Sequence, residues 1–446
     1  MRRLRFGLSG CLLAAACSTP PANQAPPVTL SAAVLFEGAQ LIVGDGNAPI
    51  ADSAFLIENG AFTRIGKKGD IPLPDGAARV DLSGKTVMPA LIDAHSHLGY
   101  TNVQDMSTAA ANFTRENLVD HLHRYAYYGI AATLSMGVDR GDLPFELRAE
   151  HIRDAALFRT AGRGIALPNA GPGAEYRKDA AYGVTTEAEA RKAVQELAAK
   201  KVDVVKIWVD DRLGTVKKLP PPMYRAIIDE AHAQNLPVVA HIYDLADAKE
   251  LLRAGIDGFA HGIRDRDVDD EFLALIKQRP NVFVIPNLPD SGTAEDLTWL
   301  SDTVPAAEIQ RMRDDVANRK PDAARQVREL YGVQARNLAK LSAAGVRIGF
   351  GTDAGISVGW NAHTELADMV AAGMTPAQVI VSATRTSAEI LRLDQLGTIA
   401  AGKSADFIAL DANPLDDITN TRRISKVYLR GQEVDRAALR KGWTGR

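Results

Sequence analysis

Between residues 87 and 392, short strand-like segments alternate with amphipathic ones, and nothing else in the chain constrains the fold so strongly. Strand-like segments can be counted at 86–93, 131–136, 164–168, 202–208, 236–240, 257–260, 282–286 and 346–351. Helix-like stretches separate most of them, and a strand that returns parallel to its predecessor needs such a crossover. Thr186 and Glu189 read as a capping box that opens one helix, and Thr375-Pro376-Ala377-Gln378 reads as the start of another. Eight such units in about 300 residues predict a (β/α)8 TIM barrel, of class α/β. The polar stretch 290–335 is too long for a plain connection and reads as a helical excursion near the barrel mouth.

The barrel does not account for either flank. From Ser31 to Lys85 the pattern is short and β-like, with Asn59-Gly60 as a hairpin signal. The pattern returns at 406–410 and 427–430. Neither piece can bury a core alone, so residues 30–86 and 393–434 are expected to pair into one small discontinuous β-sandwich beside the barrel at 87–392. Residues 435–446 are left as a C-terminal tail.

The first residues read as an address. Arg2, Arg3 and Arg5 precede an apolar run from Phe6 to Ala16, and small residues lead to Cys17. Residues 1–17 are therefore expected to be a signal peptide. The run Ala14-Ala15-Ala16-Cys17 resembles a bacterial lipoprotein processing site, which implies a lipid anchor on Cys17. Leu8-Ser9-Gly10-Cys11 fits the usual lipobox residues better but leaves only a few apolar residues before it, and plain secretory cleavage is the alternative. Residues 18–29, with Pro20, Pro21, Pro26 and Pro27, read as an extended tether. The expected location is exported, either periplasmic or lipid-anchored at a membrane.

Both cysteines of the chain lie in this leader, so disulfides and thiolate metal sites are excluded downstream. Removing residues 1–16 leaves 49 basic against 55 acidic residues, which gives no electrostatic case for binding nucleic acid.

The nine histidines divide by position. His95 and His97 end the first strand, and residues two apart on a strand project to one side. His121 and His123 share that spacing, but their segment is helix-like, where such residues diverge. His241 closes the fifth strand and His261 the sixth. Lys206 lies in the apolar strand Val204-Val205-Lys206-Ile207-Trp208, where an unpartnered ammonium is costly. Asp353 follows the last strand, at the edge where barrel enzymes keep catalytic groups. His232 and His151 fall on helical or charged surface segments. His363, at the start of a helix ten residues after Asp353, is a candidate for substrate contact or for supporting the ligands.

The set His95, His97, Lys206, His241, His261 and Asp353 resembles the amidohydrolase superfamily, especially its imidazolonepropionase-like and prolidase-like members. The resemblance extends to the opening motif Met88-Pro89-Ala90-Leu91-Ile92-Asp93-Ala94-His95-Ser96-His97 and to the exit from Leu396 to Asp406. Ala90 departs from a common glycine. The resemblance implies two divalent metal ions. His95, His97 and Asp353 would hold the more buried one, His241 and His261 the more exposed one, and a carboxylated Lys206 would bridge both. Nitrogen and oxygen ligands without thiolate favour zinc, with manganese, iron and cobalt as alternatives. The implied reaction is hydrolysis of an amide or cyclic amide C–N bond by hydroxide activated on the metal, with Asp353 as proton shuttle.

Tyr176, Tyr182, Tyr243 and Arg264 lie in or just after loops at the barrel mouth and are the substrate candidates beside His363. Arg264 could pair with a substrate carboxylate, and so could Arg266; ordinary exposed charge is the alternative for both. Export favours scavenging of peptides or acylated amino acids. An Xaa-Pro dipeptidase or carboxypeptidase is the alternative within the superfamily, and a non-catalytic substrate-binding lipoprotein the alternative outside it. The sequence leaves open whether the chain forms a homo-oligomer.

Overall fold

The computed structural model describes residues 33–288 and 296–444. The export and lipidation expectations, with Cys11 and Cys17, and the tether at 18–29 fall outside the described residues. No helix among the described residues is long and apolar enough to cross a membrane.

The parallel strands fall into a three-stranded sheet, ordered Leu157–Thr160, Ile130–Ser135, Leu91–Ser96, and a seven-stranded one. The second begins with Tyr182–Gly183 and Ile165–Ala166, then continues in chain order through Val205–Val209, Val238–Ile242, Gly258–Ala260, Phe283–Ile285 and Arg347–Ile348. Backbone hydrogen bonds run from the chain after Arg347–Ile348 back to the first strand. Ala94 N donates to Phe350 O (2.9 Å), Asp353 N to His95 O (2.8 Å) and His97 N to Ala354 O (2.7 Å).

Two expected strands are placed differently. Residues 86–93 do not form one strand: Thr86–Pro89 belongs to a five-stranded sheet with segments from both ends of the chain, and the parallel strand starts at Leu91. Ala90 is the joint, its amide donating to Asp406 O (3.1 Å). The third strand also comes in two pieces, Leu157–Thr160 and Ile165–Ala166. Gly162 breaks it with φ +60°, and a Cβ on Gly164 would sit 2.1 Å from the Trp208 ring.

Outside the parallel strands, a four-stranded sheet from 34–81 and the five-stranded sheet share an aromatic core. Phe36, Phe55 and Phe62 meet Phe407, with ring centroids 5.3–5.9 Å apart. Asn59 (φ 52°) and Gly60 (φ 78°) make the expected tight turn between Ser53–Glu58 and Ala61–Lys67. The capping box at Thr375–Gln378 is complete. At Thr186 the hydroxyl caps Glu189 N, but the Glu189 carboxylate reaches back to Thr185 instead. The region read as an excursion contains helices Ala306–Ala317 and Pro321–Ala343. The tail residues Arg436–Thr444 form a helix, and the Trp443 indole donates to Asp120 (2.6 Å).

Candidate active site

Parallel strands bring their C-terminal ends to one edge, and here those ends carry histidine and aspartate, with Lys206 near the start of its strand. His95 lies within Leu91–Ser96 with His97 just beyond it; Lys206 lies in Val205–Val209, His241 in Val238–Ile242, and His261 directly after Gly258–Ala260. His97 Nε2 is 3.0 Å and His95 Nε2 3.5 Å from one oxygen of Asp353, and His261 Nε2 is 4.0 Å from the other. The ring centroids of His95 and His97 are 5.0 Å apart, those of His95 and His261 5.1 Å, and those of His261 and His241 4.7 Å. Potential ligand atoms of His95, His97 and Asp353 all lie within 4.8 Å of one another.

Burial sets the protonation of this cluster. It lowers His97 and His241 to about 4 and takes His95 and His261 well below the ordinary histidine value. All four rings are neutral near pH 7, the form that donates a lone pair to a metal. Burial alone would raise Asp353, but the charge that His261, His97 and His95 carry when protonated, with the His97 hydrogen bond, turns the shift well downward. His95 Nε2, His97 Nδ1 and His261 Nδ1 are buried without a hydrogen-bond partner. Unpaired buried nitrogens are costly unless a ligand completes them, so the donor set fits a divalent cation.

Lys206 is fully buried, and burial lowers its amine to about 7. Its Nζ lies 3.5 Å from Met136 Sδ. The stem runs past the bare backbone of Gly137, where a Cβ would lie 2.7 Å from Lys206 Cγ.

Several supporting residues escaped the sequence reading. Asn287 Oδ1 stands 2.7 Å from His95 Nδ1, and Asp210 Oδ2 stands 2.9 Å from His241 Nε2. Asp210 follows Lys206 by four residues, so period-two projection was an available signal. Asn287 follows the strand read at 282–286, but its partner is 192 residues away. Asp93 accepts from His95 N (3.0 Å), Tyr125 Oη (2.9 Å) and Thr352 Oγ1 (2.6 Å), which ties the first strand to the segment bearing Asp353. Backbone strain gathers here too. His261, Asn287 and Asp353 have φ of 86°, 43° and 54°, left-handed values that cost a non-glycine residue about 1 kcal/mol or more.

The substrate candidates are dispersed. The Arg264 guanidinium is desolvated and senses Asp353 and Asp210. Tyr243 lies beneath Arg264, 6.0 Å from guanidinium carbon to ring centroid. Arg266, by contrast, is exposed and paired with Asp265 (2.5 Å). Tyr176 packs on Tyr100, with centroids 5.6 Å apart. Tyr182 lies under the Arg163 guanidinium at 4.1 Å, with Glu196 as its hydrogen-bond neighbour. His363 is fully buried and does not line the mouth. Its nitrogens are each 3.0 Å from Thr421 Oγ1 and Tyr128 O, so helix Asn361–Ala371 turns it inward.

The other histidines bind locally. His121 Nδ1 accepts from Gly99 N (3.2 Å) and His121 Nε2 meets Thr101 O (2.8 Å). His123 Nε2 meets Arg153 O (3.1 Å), and His232 meets Asp257 (2.8 Å).

An uncharacterized protein of Mycobacterium tuberculosis is 28% identical over 322 residues, covering 70% of this chain and 75% of the relative. The imidazolonepropionase of Nocardia farcinica is 25% identical over 402 residues, covering 84% and 90%. A crystal structure of an Xaa-Pro dipeptidase with methionine bound in its active site superposes with a TM-score of 0.71 at 23% identity, covering 90% and 99%. That likeness gives the fold, a TIM barrel. Residues 86–434 match the amidohydrolase family, whose members generally use divalent metal ions. The chain belongs to that family and is a hydrolase acting on carbon–nitrogen bonds.

Proposed function

We propose that the chain is an exported, binuclear metal-dependent amidohydrolase that cleaves an amide or cyclic amide bond in a small molecule. The convergence of His95, His97 and Asp353, with neutral rings and unpaired nitrogens, carries this reading. These three would hold one ion. His261 and His241 would hold a second, His241 through Nδ1 because its Nε2–H donates to Asp210. Lys206 supports the bridging assignment: an amine brought to about 7 is uncharged in roughly half of the molecules at neutral pH, and the uncharged amine is the form that condenses with carbon dioxide. The carbamate so formed would be an anion able to hold both ions. Zinc suits nitrogen and oxygen donors.

Divalent ions bound here would lower the pKa of water towards ~7 and polarise the scissile carbonyl. The chain supplies the rest. Asp353, with 39% of its side chain exposed, keeps one face open and can receive a proton and pass it to the leaving nitrogen. Arg264 can hold a substrate carboxylate, which supports the peptidase alternative, an Xaa-Pro dipeptidase or carboxypeptidase. Retention of all six ligand candidates argues against a non-catalytic binding lipoprotein.

The test is metal analysis of purified protein, combined with a screen of N-acyl amino acids, dipeptides and lactams on the zinc-loaded enzyme. About two ions per chain and hydrolysis of one class are expected. Fewer than one ion per chain would sink the binuclear assignment.

A further inference from the structure

Two arginines at the mouth, each over a tyrosine ring, have no hydrogen-bond partner for a buried guanidinium nitrogen. Arg177 lies in the 3-10 turn Glu175–Ala180 after the third strand, and Arg264 lies three residues after His261. Each has its Nε buried with no hydrogen-bond partner, and among the described residues neither guanidinium forms an ion pair. Other arginines in the same loops are satisfied: Arg163 donates to Ala180 O (3.0 Å) and Ala181 O (2.9 Å), and Arg212 to Gly171 O. A desolvated guanidinium left unpaired is costly and is geometrically suited to a carboxylate.

The two stand beside different parts of the metal-ligand cluster. A Cβ on Gly355 would lie 3.6 Å from Arg177 Nη1 and 3.7 Å from His97 O, which places that guanidinium by the His97 and Asp353 segments. Arg264 donates its backbone N–H to Tyr243 O (3.0 Å), between the chains carrying His241 and His261. The carboxylates whose charge reaches Arg264 are hydrogen-bonded elsewhere. Asp210 is engaged by His241 (2.9 Å) and by Arg212 N (2.8 Å), and Asp353 faces the histidines.

We infer that the substrate carries two carboxylates, one on each side of the scissile C–N bond, with Arg264 receiving one and Arg177 the other. The inference rests on the amidohydrolase reading above and narrows it to N-acyl compounds that are acidic on both the acyl and the amine side.

Four probes separate the charges: N-succinyl-L-alanine, N-acetyl-L-alanine, N-succinyl-L-alaninamide and N-acetyl-L-alaninamide. Affinity is measured calorimetrically on the metal-loaded Asp353→Asn variant, and kcat/KM on the wild type. The doubly charged probe is expected to bind at least ~10-fold tighter than either singly charged one, and the neutral probe weakest. Arg264→Met is expected to erase the preference for one carboxylate and Arg177→Met the preference for the other. Arg266→Met, on the exposed neighbour, should erase neither. Affinities within about threefold across all four probes, or an unchanged order in the double Arg177→Met/Arg264→Met variant, would overturn the inference. If the affinity order holds while the wild type hydrolyses none of the probes, the two-carboxylate site stands and the amide-cleavage reading falls.

Discussion

Asn287 sets the tautomer of His95. Its Oδ1 lies 2.7 Å from His95 Nδ1 and can only accept, so the ring proton sits on Nδ1 and the Nε2 lone pair points towards Asp353. Asn287 makes this contact from a left-handed backbone (φ 43°). Asn287→Ala is therefore expected to lower metal affinity by roughly 10–100-fold while the protein stays folded. Competition with a chelator measures it, and an unchanged affinity would remove Asn287 from the site.

Asp353 contacts three of the four clustered histidines, and its side chain is more exposed than those of His95, His97 and His261. Asp353→Asn keeps an oxygen donor at the same position but cannot take up a proton. The variant should retain metal and lose about 10²–10⁴-fold in kcat. If its kcat stays near wild type, the proton-shuttle assignment is wrong.

Strand-end chemistry was legible in the sequence because period-two projection and an apolar lead-in mark His95, His97, Lys206, His241 and His261 without any knowledge of contacts. The helical control, His121 and His123, was separated by the same reasoning. Long-range partnerships were not legible: Asn287 and His95, Asp93 and Thr352, or Arg177 and Gly355 become neighbours only once the strands assemble. Only the second piece of the third strand, Ile165–Ala166, was read: Arg159 interrupts Leu157–Thr160, whereas the apolar run after Gly164 looks more strand-like. His363 was read as a mouth residue from its distance after Asp353, but the helix face that carries it packs inward against Thr421 and Tyr128 O.

Asp139 is buried where the second strand ends, with Ser135 Oγ (2.6 Å) and Thr160 Oγ1 donating to it and no ion pair to it among the described residues. Burial raises its carboxyl to about 7, with the two hydroxyls pulling the other way. Between the unfolded value of 3.8 and about 7 the folded state binds the extra proton, so this group makes stability fall as pH rises through that window. Asp139→Asn removes the titration. Relative to wild type, the variant should be more stable at pH 8 than at pH 5, with a difference on the order of 2 kcal/mol. Urea unfolding at both pH values measures it, and equal differences would show that Asp139 ionises freely in the fold.

Gly137 and Gly141 form a matched pair for testing how Lys206 is held. Both have left-handed φ, +87° and +65°, so alanine strains the backbone at either. Only at Gly137 would the new methyl meet the site, 2.7 Å from Lys206 Cγ and 3.0 Å from the Trp208 ring; at Gly141 nothing lies within 4 Å. Gly141→Ala should therefore cost about 1 kcal/mol and leave metal content and activity unchanged. Gly137→Ala should cost roughly 1–3 kcal/mol and also displace the lysine stem, lowering both metal content and hydrolysis. Chemical unfolding gives the first comparison and metal analysis the second. Equal metal content in the two variants would mean that Lys206 does not depend on the bare backbone beside it.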